Sequence, residues 1–110
     1  MHRTSRYRLM WMMVLFDLPV TEPRARRAAT QFRVSLLKQG FEMAQFSVYV
    51  RFCGRQERYE AIEERVVCAL PAEGKVHILR FTDRQYQQAV FFDARARLPS
   101  ATKPDQLVLF

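Results

Sequence analysis

An unbroken apolar run near the amino terminus limits what this chain can fold into. Leu9–Phe16 contains eight apolar residues and no charge, and Asp17 follows it directly. The run is too short to span a bilayer, which takes about 20 residues. Continuous apolarity of this length is typical of a strand buried on both faces, and Pro19 cannot donate to a sheet ladder. We therefore predict a central β-strand with Asp17 at its end.

Two amphipathic helices are predicted farther along the chain. Thr21 can cap the first helix and Pro23 suits its first turn, and the helix should run to about Gln39, before Gly40. The second helix should run over residues 56–70. Apolar residues recur at helical spacing and should pack on a sheet. In the first helix they are Ala25, Ala29, Phe32 and Leu36, and in the second Tyr59, Ile62, Val66 and Leu70.

The remaining segments predict further strands. Phe41–Phe52 is predicted to be extended, with apolar and polar residues that alternate from Phe46 onward, but it is long for one strand, so we divide it near Gln45. Lys75–Thr82 also alternates, Asp83–Gln85 is expected to be a turn, and Ala89–Phe92 a short strand. The order strand, helix, strand, strand, helix, strand is the split βαβ, ferredoxin-like pattern. We therefore predict an α+β fold with two helices on one face of an antiparallel sheet.

The ends of the chain and the uncovered sheet face indicate how the fold is completed. We expect a flexible basic amino terminus at residues 1–7, the ferredoxin-like domain at 8–93, and a linker and C-terminal strand at 94–110. A free apolar end needs a sheet edge, its own or a partner's, and an uncovered apolar face favours a homodimer packed through the sheets. The residues expected at the dimer interface are Leu107, Val108, Leu109 and Phe110.

The charge of the chain favours nucleic acid as a partner. It carries 18 Lys and Arg against 11 Asp and Glu, a formal net charge of +7, and only three of the cations are lysines. Arginine suits bidentate contact with phosphate. No motif in the sequence indicates recognition of specific bases, so we expect contacts with the phosphate backbone of the nucleic acid. A basic surface without a partner is the alternative. The cations that we expect to contact nucleic acid are Arg24, Arg26, Arg27, Arg33, Lys38 and Arg51.

Asp17 is the candidate catalytic and metal-binding acid. A carboxylate at the end of a strand can hold a hard cation such as Mg²⁺, although it could instead cap the following turn or helix. One carboxylate is a weak magnesium site, so a dimer must bring two copies together or phosphates must complete the shell. His77 is expected to be a packed or surface residue and not a base.

The two cysteines do not form a metal site. Cys53 and Cys68 make no CxxC motif and have no histidine at zinc-like spacing. We expect free thiols in a reducing cytoplasm. The basic residues before the apolar run imitate a signal peptide, but no small-residue cleavage site follows. The expected location is therefore cytoplasmic, without a membrane partner.

Three segments resemble a known family. A buried strand that ends in Phe16–Pro19, a basic helix that closes with Lys38–Phe41, and the segment Gln45–Tyr49 together resemble the CRISPR-associated Cas-two proteins. The resemblance runs from about Tyr7 to Phe92, and the sequence of Phe41–Gln45 looks most like that of the type II-C branch. Residues before the first strand depart from the family pattern, in which the strand begins almost at the initiator methionine.

The resemblance implies a function in CRISPR spacer acquisition. Family members are ferredoxin-like homodimers that bridge dimers of the CRISPR integrase and hold a double-stranded DNA prespacer, and several are magnesium-dependent endonucleases on RNA or duplex DNA. The acid of the family matches Asp17, paired across the dimer axis, and its small polar residue matches Ser47, expected to contact nucleic acid. A scaffold without catalysis, a Mg²⁺-dependent nuclease and a small-molecule-sensing regulatory domain are the competing hypotheses, and the arginine excess favours the scaffold.

Overall fold

The fold is that of a computed structural model, which describes residues 8–93 and 96–98. The strands are β1 (Met10–Asp17), β2 (Glu42–Gln45), β3 (Val48–Gly54), β4 (Lys75–Thr82), β5 (Phe91–Asp93) and β6 (Ala96–Leu98). The helices are α1 (Pro23–Lys38), α2 (Gln56–Cys68) and α3 (Asp83–Gln87). No helix in this part of the chain is long and apolar enough to cross a membrane.

The main sheet has the strand order β2-β3-β1-β4, and every neighbouring pair is antiparallel. β1 pairs on both sides, so the prediction of a central strand is confirmed. β1 and β2 run parallel with β3 inserted between them, which is the split βαβ arrangement. The predicted ferredoxin-like α+β fold is therefore confirmed. β5 and β6 form a separate two-stranded sheet.

The core lies between the sheet and the two long helices. Side chains alternate along a strand, so every second residue of β1 faces the helices. Those residues meet Phe32 and Leu36 of α1 and Ile62 and Val66 of α2, all of them buried as predicted. Leu70, expected on the inner face of the second helix, lies beyond its end and is 40% exposed. The buried residues of β1 on this face are Met10, Met12, Val14 and Phe16.

The opposite face of the sheet is covered only at one end. Trp11 stacks on Tyr86 of α3 with the ring centres 3.8 Å apart, and its indole Nε1 donates to the Asp83 carboxylate at 2.8 Å. Farther along β1, Met13 and Leu15 are only half-buried. The described residues therefore leave apolar surface open on this face.

The structure corrects two of the predicted connections. The turn predicted over Asp83–Gln85 is wrong, because these residues begin α3. Thr82 Oγ1 accepts from the Gln85 amide at 3.1 Å, and Gln85 Oε1 accepts from the Thr82 amide at 2.9 Å, a capping box that stabilises a helix start. Within the predicted linker, residues 96–98 form β6 instead. The division predicted near Gln45 is confirmed, whereas residues 1–7 and Leu107–Phe110 lie outside the described residues.

Two adjacent leucines of α1 should contribute very differently to the free energy of unfolding, because only one of them lies in the core. Leu36 is fully buried, whereas Leu37 is 53% exposed. Leu36→Ala should lower the free energy of unfolding by about 2–5 kcal/mol, because it leaves a cavity between helix and sheet. Leu37→Ala, the matched control, should change it by less than about 1 kcal/mol. Urea unfolding measures both, and equal losses would contradict the assignment of the core face.

Candidate functional site

Asp17 lies on the sheet face opposite the helices. It occupies an odd-numbered position of β1, whereas the even-numbered positions face the core, and it is exposed. In the register between β1 and β4, Asp17 is paired with Lys75 and Leu15 with His77. Paired residues of neighbouring strands point to the same face. The sheet therefore places Lys75 and His77 on the same open face as Asp17.

The turn between β2 and β3 completes an open hollow around Asp17. Ser47 has a left-handed backbone with φ of 68°, and its carbonyl accepts a hydrogen bond from the Phe16 amide at 3.1 Å. This bond joins the turn to the end of β1. The structure thus brings together Asp17 and Ser47, the two residues that the resemblance matched to residues of the family. The residues that line the hollow are Leu15, Phe16, Asp17, Phe46, Ser47, Val48, Lys75 and His77.

Arg33 connects this turn to the helix layer. Its Nη2 donates to Ser47 Oγ at 3.3 Å, and its guanidinium carbon lies 4.8 Å from the centre of the Phe46 ring and 5.4 Å from that of Phe16. Both distances are in the range of cation–π attraction. Arg33 is half-buried, so it braces the turn from α1. The predicted contact between Arg33 and nucleic acid stays a prediction.

Gly74 holds the loop before β4 against the end of β1. Its φ is +102°, a conformation that L side chains rarely adopt. A Cβ at this position would stand 2.7 Å from Leu18 Cδ2 and 2.9 Å from the Asp17 carbonyl oxygen. Only glycine fits this approach, which sets the backbone position of Asp17.

The donor set of one chain does not by itself fit magnesium. Among the residues that the structure describes, no group of three His, Cys, Asp or Glu side chains could hold a metal ion. Asp17 is the single carboxylate in the hollow, and the residue paired with it is the cation Lys75. Mg²⁺ takes several oxygen ligands, so a site here needs oxygens from outside this chain.

The amino-terminal half of α1 carries exposed arginines. Arg24 and Arg27 are exposed, as is Lys38 at the other end of the helix. Arg26 is also exposed, but its Nη1 donates to the carbonyl oxygens of Val20 at 3.1 Å and of residue 21 at 3.2 Å. Arg26 therefore braces the chain that leads into α1, which leaves fewer of its N–H groups for phosphate.

The start of α1 differs from the prediction. The N-cap is Glu22 and not Thr21, no side chain caps the helix, and no acid lies in its first turn. Several amide N–H groups at this end therefore have no partner within the helix. Their partial positive charge adds to that of the neighbouring arginines.

Arg51 closes the other end of α1. It is half-buried, and its guanidinium donates to the carbonyl oxygens of Gln39 and Phe52. Burial, together with the charges of Arg58 and Arg65, lowers the pKa of Arg51. The sequence missed this role because Arg51 alternates with the apolar Val50 and Phe52, a pattern that is typical of a cation on the exposed face of a strand. Its predicted contact with nucleic acid stays a prediction.

The cysteines are free thiols, as predicted. Cys53 is buried under the helices and Cys68 is exposed. Burial raises the pKa of Cys53 to about 11, so its thiol stays protonated and unreactive at neutral pH. Neither residue belongs to the hollow around Asp17.

A match to a known protein family identifies the family of this chain. The family model described as CRISPR associated protein Cas2 matches residues 10–89, which span the four-stranded sheet, the three helices and the hollow described above. The chain belongs to the Cas2 family. This confirms the resemblance to the Cas-two proteins, and the type II-C branch stays a prediction.

Individual Cas2 proteins are similar over nearly the whole chain. A protein of Paracidovorax avenae named CRISPR-associated endoribonuclease Cas2 is 55% identical over 104 residues, 94% of this chain and 96% of its own length. Proteins with the same name from Flavobacterium psychrophilum and Parvibaculum lavamentivorans are 37% and 41% identical, over 98% and 92% of this chain and 94% and 100% of their own lengths. Family membership gives the chain a CRISPR-related function.

Three residues of the hollow were missed in the sequence. Lys75 and His77 lie far along the chain from Asp17, and only the register of β1 with β4 brings them to its side. His77 is exposed, so of the two expectations for it, packed or surface, the structure shows the second. Phe46 was assigned to an apolar alternation, but it is 78% exposed at the rim.

Gly74 provides a test of how the Asp17 backbone is held. Gly74→Ala should lower the free energy of unfolding by about 2–4 kcal/mol, because a positive φ and a backbone clash add together. Gly54→Ala is the matched control, since Gly54 also has a positive φ but its Cβ would meet only the flexible Arg58 side chain at 3.6 Å. Chemical unfolding compares them, and an equal or smaller loss for Gly74→Ala would contradict the close approach.

Proposed function

We propose that the chain is a dimeric DNA-binding scaffold of CRISPR spacer acquisition, which bridges subunits of the CRISPR integrase while it holds a double-stranded DNA prespacer. The observation that carries the proposal is the exposed basic surface of α1. Membership of the Cas2 family supports the pathway. The integrase contact is a part of this proposal that comes from the resemblance, and the cytoplasmic location is the expectation drawn from the sequence.

The amino-terminal half of α1 has the chemistry of a phosphate-binding surface. An open hollow there is lined by Pro23, Arg26, Arg27, Thr30 and Gln31, whose guanidinium, hydroxyl and amide groups all donate hydrogen bonds. The uncapped helix end adds partial positive charge, and the whole chain has a net charge of +7. Such a surface binds the backbone of nucleic acid without reading its sequence.

The open sheet face supports the homodimer. Met13 and Leu15 are half-buried there, and Leu79 on β4 is 43% exposed. A second copy of the sheet would cover these side chains and remove apolar surface from water. The interface expected at Leu107–Phe110 belongs to the same proposal.

The DNA-binding surface can be tested through the salt dependence of binding. Replacing both Arg24 and Arg27 with Gln should weaken binding of a short DNA duplex. The slope of log K against log salt should fall by about 0.9 for each phosphate contact removed. Arg84→Gln, at an exposed arginine of α3, is the matched control and should leave the slope unchanged. A slope unaltered by the double replacement would remove α1 from the DNA-binding surface.

Cleavage of phosphodiester bonds is a second candidate function. It is favoured by the hollow, where Asp17, Ser47, Lys75 and His77 come together, and by relatives named CRISPR-associated endoribonuclease Cas2. Mg²⁺, expected at Asp17, would need further oxygen ligands, either from Asp17 of a second subunit or from phosphate groups of the substrate. The substrate would be RNA or double-stranded DNA.

Replacement of Asp17 distinguishes the two candidate functions experimentally. Asp17→Ala should abolish Mg²⁺-dependent cleavage of RNA or duplex DNA by the purified protein, because it removes the one carboxylate of the hollow. Spacer acquisition in cells should continue, since a scaffold does not need the carboxylate. Glu42→Ala, at an exposed acid outside the hollow, is the control.

Either of two results would contradict this assignment. Mg²⁺-dependent cleavage that survives Asp17→Ala would contradict the role of Asp17. Loss of acquisition by an Asp17→Ala protein that still folds and binds DNA would contradict the scaffold as the main function.

A further inference from the structure

Three arginines lie close together at the C-terminal end of α1. Arg51 is anchored there, because its guanidinium donates to the Gln39 carbonyl at the end of the helix. Burial lowers the pKa of Arg51, and the positive charges of Arg58 and Arg65 lower it further, as expected for cations that are near one another in space. Arg58 and Arg65 are exposed, whereas Arg51 is half-buried. We call these three residues, Arg51, Arg58 and Arg65, the arginine groove.

The arginine groove lies between α1 and α2, on the sheet face that the helices cover. Arg58 and Arg65 are two helical turns apart on α2, so their side chains leave the same flank of the helix at positions about 10.5 Å apart. An open hollow on this flank is lined by residues of both helices, which are Gln39, Ala61, Glu64, Arg65 and Cys68. Arg51 is paired with Met12 of β1, whose side chain faces the helices, so Arg51 points to the same side.

We propose that the arginine groove is a second phosphate-binding site, which aligns bound duplex DNA with α1. The proposal rests on the DNA-binding function proposed above and adds a second point of contact to it. Guanidinium groups bind phosphate through paired N–H donors. The phosphates of one strand of a duplex advance by about 3.4 Å per nucleotide along its axis, so a spacing of about 10.5 Å corresponds to about three nucleotides. Arg58 and Arg65 can therefore contact two phosphates of one strand at the same time.

The arginine groove and the basic surface at the start of α1 are far enough apart to define a direction. α1 has 16 residues and is therefore about 24 Å long, which equals about seven base pairs of duplex DNA. No acidic residue occurs in α1, from Pro23 to Lys38, so no carboxylate of this helix repels a phosphate backbone that lies along it. A contact at one end alone leaves the duplex free to turn about that end, whereas contacts at both ends fix its direction.

The acidic outer face of α2 limits where the duplex can lie. Glu57 and Glu64 are exposed and, like Arg58 and Arg65, are two turns apart, but they point away from the core. Glu64 also lines the hollow next to Arg65. Carboxylates repel a phosphate backbone over a distance of about 8–10 Å at moderate salt. The duplex is therefore favoured on the α1 side of the arginine groove and not across α2.

The experiment measures binding of a duplex of about 12 base pairs to the full-length protein over a range of salt concentrations. Replacing both Arg58 and Arg65 with Gln should weaken binding, and the slope of log K against log salt should fall by about 1.8, or about 0.9 for each phosphate contact. Glu64→Gln should strengthen binding about 2- to 5-fold, because a carboxylate beside Arg65 no longer repels phosphate. Arg84→Gln is again the matched control and should leave both the affinity and the slope unchanged.

The length of the DNA distinguishes one aligned duplex from two separate ones. A hairpin with a stem of about five base pairs, bound at the start of α1, cannot reach the arginine groove, so the double variant and the parent protein should bind it equally well. With the longer duplex, the double variant should lose affinity and keep the number of duplexes bound per chain. A fall in that number would overturn the alignment, because each end of α1 would then hold a duplex of its own.

The remaining outcomes separate this inference from the function on which it rests. Binding that replacement of Arg24 and Arg27 does not change would overturn the DNA-binding surface of α1, and this inference with it. A loss of binding on that replacement, together with an unchanged slope for the double variant, would overturn the second site alone. Arg58 and Arg65 are exposed, so the double variant should keep the unfolding midpoint of the parent protein, and Glu64→Gln tests the same site independently.

Discussion

The alternation of side chains along β1 determines the rest of the structure. β1 has a partner strand on both sides, so its only free directions are the two faces of the sheet. Even-numbered residues from Met10 to Phe16 face the helices and form the core. Asp17 is odd-numbered, so it emerges on the open face, and the register with β4 gives it Lys75 and His77 as neighbours. A register slip of one residue would turn the carboxylate toward the core and the apolar residues outward.

Contacts from three residues, Ser47, Arg33 and Gly74, hold the end of β1 in place without using the Asp17 carboxylate. The Ser47 carbonyl accepts from the Phe16 amide, and Arg33 braces the same turn from α1 through Ser47 Oγ and two aromatic rings. On the other side, Gly74 lies against the Asp17 backbone. The Asp17 side chain is therefore left exposed while its backbone is fixed, which is the arrangement that a group acting on an external ligand requires.

The sequence predicts those parts of the fold that depend on local patterns. The apolar run of β1, the helical spacing of Phe32 and Leu36, and the family resemblance around Asp17 and Ser47 led to the fold and to the end of the strand. His77 could not be assigned in the same way, because its position beside Asp17 depends on the pairing of distant strands. α3 was missed for a related reason, since a five-residue helix depends on its capping box and on the packing of Tyr86 against Trp11. Arg51 shows the reverse case. In the sequence it looks like a surface cation, but in the structure its guanidinium donates to the Gln39 carbonyl at the C-terminal end of α1.

The basic surface and the hollow lie at the same end of the sheet but on different faces. β1 ends at Asp17 and α1 begins at Pro23, so the exposed Arg24 and Arg27 are a short connection away from the carboxylate. The helices cover one face of the sheet, and the hollow opens on the other. A duplex bound along α1, as proposed, would therefore lie on the helix side of the sheet and outside the hollow. The two proposed functions therefore depend on separate surfaces of one small domain.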